Sequence, residues 1–484
     1  MATELYGVDA QLVASIGATP VSTETNVIFV GASKSGDLNK PVLITSMRDY
    51  KTKLGGEPGD GYNLSEAAIA AFQIAGISKV YMIPVSHDMI FDEDDYLGDA
   101  SEYLGVYAIE KLLRDNPTAV NILCAPSVDD DGVIAALDAI AKKAAGHWQS
   151  FLMYDLANDS GDQIIEPSNV AQADTIIDDK VLADGHALAV WGHVRTSGGY
   201  TVSGAAIRAC LQAKSDADYN APGRSGGNLP IPGIRGVVIY EDGKRVCDGI
   251  SATASQINYI TEDLEVSGTD VQFEDDVEYY IADITVTSGE IVDPSLVNHN
   301  GVLALKFKTG AANVSSAVVT VKSRAVHDVD LPEATATELS ADGICSYIYY
   351  GNGVYHTWGD HTSLFAGGSV SDELYRFDNY IRVQLMILNR FQLSHRFEID
   401  NPMDLAMRND IITYEQDFLY KLKARHVLIG NPVVEFRAEN NSTDALQQGR
   451  FVWSFECTET PPAKYLKAEV AYTAAGLSVL TEEE

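Results

Sequence analysis

The chain has 484 residues, 46% of them hydrophobic, and carries 69 Asp plus Glu against 34 Lys plus Arg for a formal charge of −35. That length implies more than one hydrophobic core, and no apolar run approaches the ~18 residues that a membrane helix needs. A surface this acidic repels phosphate backbones, so nucleic acid is not an expected partner, and any self-assembly must rest on contacts specific enough to overcome the repulsion.

The start, "MATELYGVDAQ", has no basic residues followed by an apolar stretch, which predicts synthesis in the cytoplasm without a secretory signal. From there short apolar runs of the buried-strand type recur: 26–31 (NVIFVG), 41–45 (PVLIT), 79–85 (KVYMIPV), 121–126 (NILCAP), 150–155 (SFLMYD) and 187–192 (ALAVWG). Helical patterns lie between them. One starts at Asn63 as cap, with Glu66 three residues on and Gly76 as its stop; another places Val133, Leu137, Ile140, Ala141 and Ala144 on one stripe. Strand, helix, strand in this order predicts a mostly parallel sheet covered by helices.

The texture changes between about Val237 and Ala334, where β-branched and aromatic runs are punctuated by Asp-Gly and Ser-Gly turns. This reads as an inserted β-rich domain. Strand signals return at 345–359, followed by two long helical patterns; in the second, Asn401 is the expected cap, Pro402 the first helical residue, and Leu405, Ile412 and Leu419 recur every two turns. Residues 450–459 alternate the large Phe451, Trp453 and Phe455 with smaller or polar neighbours, as a half-buried strand does. Beyond Pro461-Pro462, Leu466, Ala468, Val470 and Tyr472 alternate with Lys467, Glu469 and Ala471. A strand so short, at a chain end, needs a sheet to join, and that sheet can belong to another subunit.

Residue patterns that resemble catalytic and ligand-binding motifs lie along the same path. Gly31 and Gly36 have the spacing of a phosphate-binding loop, but Asp37-Leu38 stands where its Lys and Ser or Thr belong, so a turn between two strands is the better reading. The G-x-S-x-G letters at Gly223–Gly227 lack the preceding strand and following helix of a nucleophile elbow. Asp155, His186 and a later Ser could be set in protease order, an arrangement that ten His and many Ser make nearly always available. His356, Asp360 and His361 match no metal signature, and the acidic runs at 92–95 and 129–131 lack calcium-loop spacing and read as helix-start acids. The five cysteines, Cys124, Cys210, Cys247, Cys345 and Cys457, are scattered singly and read as reduced thiols. No catalytic residue, cofactor or metal is expected.

The order of these segments resembles the contractile tail sheath proteins of bacteriophages and of phage-tail-like bacteriocin particles. The likeness is carried at the front by 26–56 and 62–85, in the middle by 198–223 (GGYTVSGAAIRACLQAKSDADYNAPG), and at the back by 378–431 and 449–473, with Phe397, Glu398 and Asn401 in a Phe-Glu-x-Asn-like position. The resemblance covers about 5–236 and 341–473, leaving the insert as a family-variable decoration. It implies an α/β, multidomain chain: an N-terminal arm (1–25), a subtilisin-like α/β core without protease function (26–236), the β-rich outer insert (237–334), an α+β C-terminal domain facing an inner tube (335–462) and a C-terminal arm (463–484). It implies a structural subunit, not an enzyme, polymerising as stacked hexameric rings around an inner tube and contracting to drive that tube through a target envelope. Its partners would be further copies, the inner tube protein, and baseplate and terminator proteins, with no nucleic acid and no membrane insertion. Assembly is expected in the host cytoplasm, and the final location is the particle's tail.

In this reading Leu5, Val8 and Leu12 of one arm and Leu466, Ala468, Val470 and Tyr472 of the other add strands to a neighbour's sheet, with Phe451, Trp453 and Phe455 on the receiving side. Such a contact is heterologous and propagates as an open helix. Arg382, Arg390, Lys421 and Lys423 on the C-terminal helices are the expected tube-facing charges. The alternative reading is an α/β enzyme or small-molecule binder whose Gly-rich loops close over a ligand; a third, a cell-surface protein, draws on the β-rich insert and acidic surface.

Overall fold

The computed structural model describes residues 24–475 and 477, except 89–90, 143–147, 158–165, 181–184, 242–245, 254–257, 261–262, 273–276, 287–290, 300–301, 310–315, 330, 352–353 and 369. For most of 240–330 it gives the backbone course. The first half runs β1 (Thr25–Ala32), β2 (Val42–Ile44), α1 (Met47–Leu54), α2 (Asn63–Ala68) and a π-helical continuation (Ile69–Ala75), then β3 (Val80–Ser86). It goes on through α3 (Glu93–Leu97), α4 (Ala108–Asp115), β4 (Val120–Cys124), α5 (Asp131–Lys142), β5 (Phe151–Asp155), α6 (Val170–Asp179) and β6 (Ala187–Val190). All six strands expected from the apolar runs are present. Next come β7 (His193–Thr196), β8 (Thr201–Val202), α7 (Gly204–Tyr219), β9 (Pro230–Ile231) and β10 (Ile234–Glu241).

The β-rich region supplies β11 (Val246–Thr253), β12 (Asn258–Ile260), β13 (Asp263–Gln272), β14 (Val277–Val286), β15 (Ile291–His299), β16 (Val302–Thr309) and β17 (Ser316–Val329). The chain ends with α8 (Glu333–Ala341), β18 (Ile344–Tyr349), β19 (Tyr355–Trp358), α9 (Asp378–His395), α10 (Leu405–Ala424), β20 (Leu428–Glu435), α11 (Thr443–Gln447) and β21 (Ser454–Glu459).

A nine-stranded sheet in the order β2-β3-β1-β4-β5-β6-β18-β19-β9 forms the centre. From β3 to β18 its neighbours are parallel, and antiparallel strands close both edges. Side chains of a strand alternate between faces, and here both faces are covered. Val27 and Phe29 of β1 enter one core with Leu64, Ile69 and Ile207, while Ile28 and Val30 enter the other with Ile109, Val133 and Leu137. A second sheet, β11-β17-β10-β7-β8 with β14 also on β17, and a four-stranded sheet, β12-β13-β16-β15, make up the β-rich part.

β10 begins before Val237 and pairs with β7 as well as with β17, so the sheet of the β-rich region continues into β7 and β8. β18 is buried over five of its six residues and pairs in parallel with β6, so the central sheet takes up the chain again after the β-rich region. Beyond it, α9, α10 and the two-stranded β20–β21 ribbon pack around Met386, Ile387, Phe418, Leu419 and Leu422.

Helix starts also moved. Asn63 is the first residue of α2, and its side-chain carbonyl accepts from Ala32 N (3.2 Å) and the Tyr96 hydroxyl (2.8 Å), while its amide donates to Pro126 O (3.0 Å). It ties the ends of β1 and β4 together instead of capping. Asn401 does not cap α10 either: Asp404 does, accepting from Met407 N at 2.8 Å. The helix therefore begins three residues later than Pro402 suggested, and Leu405 stands 64% exposed rather than on the core face. Gly76 ends the π-helical turn in the left-handed conformation, as its position implied.

Candidate functional site

In an open parallel sheet the ligand crevice lies beyond the carboxyl ends of the strands where their order reverses, here between β1 and its neighbours β3 and β4. The loop that could have cradled a phosphate starts there. Its amides are already engaged: Ser33 N donates to Ser86 O, Ser35 N to Leu54 O and Asn39 N to Pro84 O, while His87 bridges the carbonyls of Ser33 and Gly36. The turn reading of Gly31–Gly36 describes the loop correctly.

Next to it lies a buried polar network that the sequence did not reveal. Ser127 sits just past β4 with a left-handed backbone (φ 53°), and its Oγ is 2.7 Å from Glu66 Oε2 and 3.1 Å from His193 Nε2. On the far side of the ring, His193 Nδ1 lies 3.2 Å from Glu166 Oε1. Asp155, at the end of β5, accepts from Ser127 N (2.9 Å), Ser203 Oγ (2.7 Å) and Ala205 N (2.9 Å), which fixes the start of α7. Serine, imidazole and carboxylate in a row look like a nucleophilic triad, but the polarity is reversed. Burial opposes a charge on His193, yet Glu166 first, then Asp155 and Glu66, raise it to about 9. The imidazolium donates to Ser127, and that hydroxyl donates to Glu66, so His193 is not set to take the serine proton as the histidine of a triad does. The arrangement locks the ends of four strands to α2 and α7. His186, the histidine singled out in the sequence, takes no part in these contacts.

A second buried network lies beneath the Gly223–Gly227 loop. Arg208 of α7 meets Asp378 of α9 at 2.9 Å and Gln212 at 2.7 Å; Arg382 of α9 holds both oxygens of Asp216 (2.9 and 2.7 Å) and the Arg224 carbonyl (2.9 Å). Both guanidiniums are fully buried. Thr25, opening β1, donates to Asp216 at 2.7 Å, and Ser225 bonds Asp360. A Cβ on Gly226 would stand 1.8 Å from Arg208 Nη1, which explains the glycine in a loop that is no elbow. Asp360 therefore serves this network. His356 bonds Asn228 (2.9 Å), and His361, pulled down to about 4 mainly by burial, bonds Ser340 O (2.6 Å) between the rings of Phe365 and Phe377. Among the described residues no cluster of three His, Cys, Asp or Glu is placed to hold a metal ion. In the acidic runs Asp92 caps α3 and Asp130 bonds Val133 N at the start of α5.

Two of the four expected tube-facing charges are corrected by their burial. Arg382 belongs to the network just described, and Arg390 is tied to Glu415 of α10 with its guanidinium 3.8 Å from the centre of the Phe418 ring. Both arginines bind α9 to its neighbours because their helix faces inward, a fact that helical periodicity alone could not separate from a solvated stripe. Lys421 and Lys423 are exposed. The connection from α9 to α10 leaves Phe397 (67%), Ile399 (73%) and Leu405 exposed, and Asn401 Nδ2 donates to Phe397 O at 2.9 Å.

The ribbon pairs Val434 with Phe455 and Glu435 with Ser454. Phe451 and Trp453 precede β21 rather than lying in it, because the Asn441 side chain takes the place of a partner strand, bonding both the N and the O of Val452 at 2.8 Å. Phe451, Trp453, Phe436, Phe391 and Phe455 form one aromatic chain that fixes the ribbon to α9. On β20 the amide of Gln416 likewise bonds Pro432 O (2.8 Å) and Val434 N (2.9 Å). Among the described residues β21 pairs with β20 alone. From Tyr465 to Thr473 the chain has no regular secondary structure; Leu466 is 87%, Val470 95% and Tyr472 85% exposed. Leu5, Val8 and Leu12 lie outside the described residues.

No family model and no curated protein matches this chain. Solved structures do. A chain from the contracted sheath complex of the extracellular contractile injection system PVC is similar at a TM-score of 0.58 and 10% identity, covering 98% of this chain and 99% of that one. A chain of the helical sheath of the anti-feeding prophage in its contracted state gives 0.54 and 14%, covering 98% and 100%. A chain of the six-fold symmetrised baseplate of the same particle gives 0.54 and 15%, also covering 98% and 100%. End to end, the chain has the fold found in contractile-injection sheath structures.

Proposed function

We propose that this chain is the subunit of a contractile sheath. The observation that carries the reading is the fold shared over 98% of its length with chains from two contractile particles. The exposed alternating segment Leu466–Tyr472 and a ribbon whose β21, among the described residues, pairs with β20 alone supply the means of joining copies. A two-stranded ribbon is marginal by itself, and a strand added from a neighbour completes it. In this reading the arms pair with β21 of other subunits, the subunits stack as hexameric rings around an inner tube, and baseplate opening lets each ring rotate and widen while the main-chain pairing persists. The tube-facing surface includes Lys421, Lys423 and the apolar tip of Phe397, Ile399 and Leu405. The particle forms in the host cytoplasm and the sheath resides in its tail.

Negative-stain electron microscopy tests this with the purified chain, alone and co-expressed with its tube protein. Long hollow helical tubes are the expected outcome. Only monomers or small closed rings under both conditions would reject the reading.

A further inference from the structure

The buried network between α7 and α9 has an uneven charge balance until the root of the C-terminal arm is counted. Asp216, Asp360 and Asp378 are buried with Arg208 and Arg382, two cations against three carboxylates. The third cation is Lys464, whose ammonium contacts Asp360 and stands 5.4 Å from the centre of the Phe377 ring. Asp360 is otherwise held by Ser225, and its carbonyl accepts from Asp378 N at 2.9 Å, so it joins the loop, the network and α9. Upstream of the arm, Thr460 is fixed twice, its N on Val427 O and its hydroxyl on His426 O, and Asn379 Nδ2 reaches Thr460 O at 3.3 Å. One residue beyond Lys464, Tyr465 is 79% exposed.

We propose that Lys464 is a latch: by supplying the missing cation to buried Asp360 it fixes where the C-terminal arm leaves the body, so the arm swings only from Tyr465 onward. An unpaired buried carboxylate is costly, so displacing the arm root strains the seam that joins the core helix α7 to the C-terminal domain. Pro461 and Pro462 stiffen the short span between the fixed Thr460 and the latch. Pull on the arm thus meets the Lys464–Asp360 pair before it reaches the bonds that hold Thr460. The proposal rests on the sheath reading only in treating 465–484 as an assembly arm.

Limited trypsin digestion of the unassembled full-length chain reads the latch independently of whether tubes form. Lys467, three residues on, is the internal reference because its side chain is 59% exposed. Cutting after Lys464 should be about tenfold slower than after Lys467 in the native chain, and Asp360→Asn should bring the two rates together while the Lys467 rate stays constant. Equal rates in the native chain would overturn the latch. Should Asp360→Asn fail to fold, Lys464→Met read by amide hydrogen exchange decides: faster exchange at Ala463–Leu466 supports the proposal, and unchanged exchange rejects it.

Discussion

Gly226 and His193 show how much of this molecule turns on single residues. A methyl at Gly226 would drive into the Arg208 guanidinium, 1.8 Å away, and Arg208 has no solvent route of retreat because it is fully buried against Asp378. Gly226→Ala should therefore cost about 3 kcal/mol, from overpacking and a loosened ion pair, seen as a lower urea midpoint at unchanged slope. His193 sets a pH dependence. Its value rises from 6.5 unfolded to about 9 folded, so its contribution is complete below 6.5 and is lost as pH climbs through 9. Burial raises Glu66 as well, which pushes stability the same way. Melting temperature should fall between pH 7 and 10 by an amount worth on the order of 3 kcal/mol, and His193→Gln should flatten that fall. Neither residue was legible in the sequence. Ser127, Glu66, Glu166 and His193 are brought together from different segments, and a polar cluster assembled by topology leaves no local spacing to read.

Elements were far more legible, because a strand or helix writes its burial at a fixed period. β1 through β6 were found from apolar runs alone, since strands buried on both faces need no alternation to be recognised. Helix starts were less so. Asn63 and Asn401 both had good capping chemistry, yet Asn63 is turned to a tertiary bond and Asn401 to the Phe397 carbonyl. The competing cap at Asp404 gives a clean comparison: Asp404→Ala should lose about 1 kcal/mol, while Asn401→Ala should change stability by a few tenths at most. Equal losses in urea titrations would return the helix start to Pro402. The start of β21 failed for a related reason, as the Asn441 side chain imitates a partner strand for Val452 and ends the ladder early.

At the scale of the whole molecule, the proposed C-terminal arm needs a partner that one chain by itself does not supply. The alternation Leu466, Ala468, Val470, Tyr472 implied a strand, and in the isolated chain it is unpaired and exposed. An edge supplied by a neighbour would bury three large side chains, about 2 kcal/mol each, against roughly 1 kcal/mol of ordering per residue and with main-chain hydrogen bonds in addition. Over the seven residues 466–472 the apolar and ordering contributions nearly cancel, so the main-chain hydrogen bonds tip the balance, and in the proposed sheath each ~1.4 kcal/mol they leave changes association about tenfold. Removing 465–484 leaves Lys464 on Asp360, so that chain should melt within a degree or two of the full-length protein yet form no tubes by electron microscopy. Removing 464–484 takes the cation too, and should lower the melting temperature as well as abolish tubes. Tubes at full yield from the 1–464 chain would dismiss the arm as the joining element. Matching melting temperatures for the 1–463 and 1–464 chains would separate the arm from the core's charge balance.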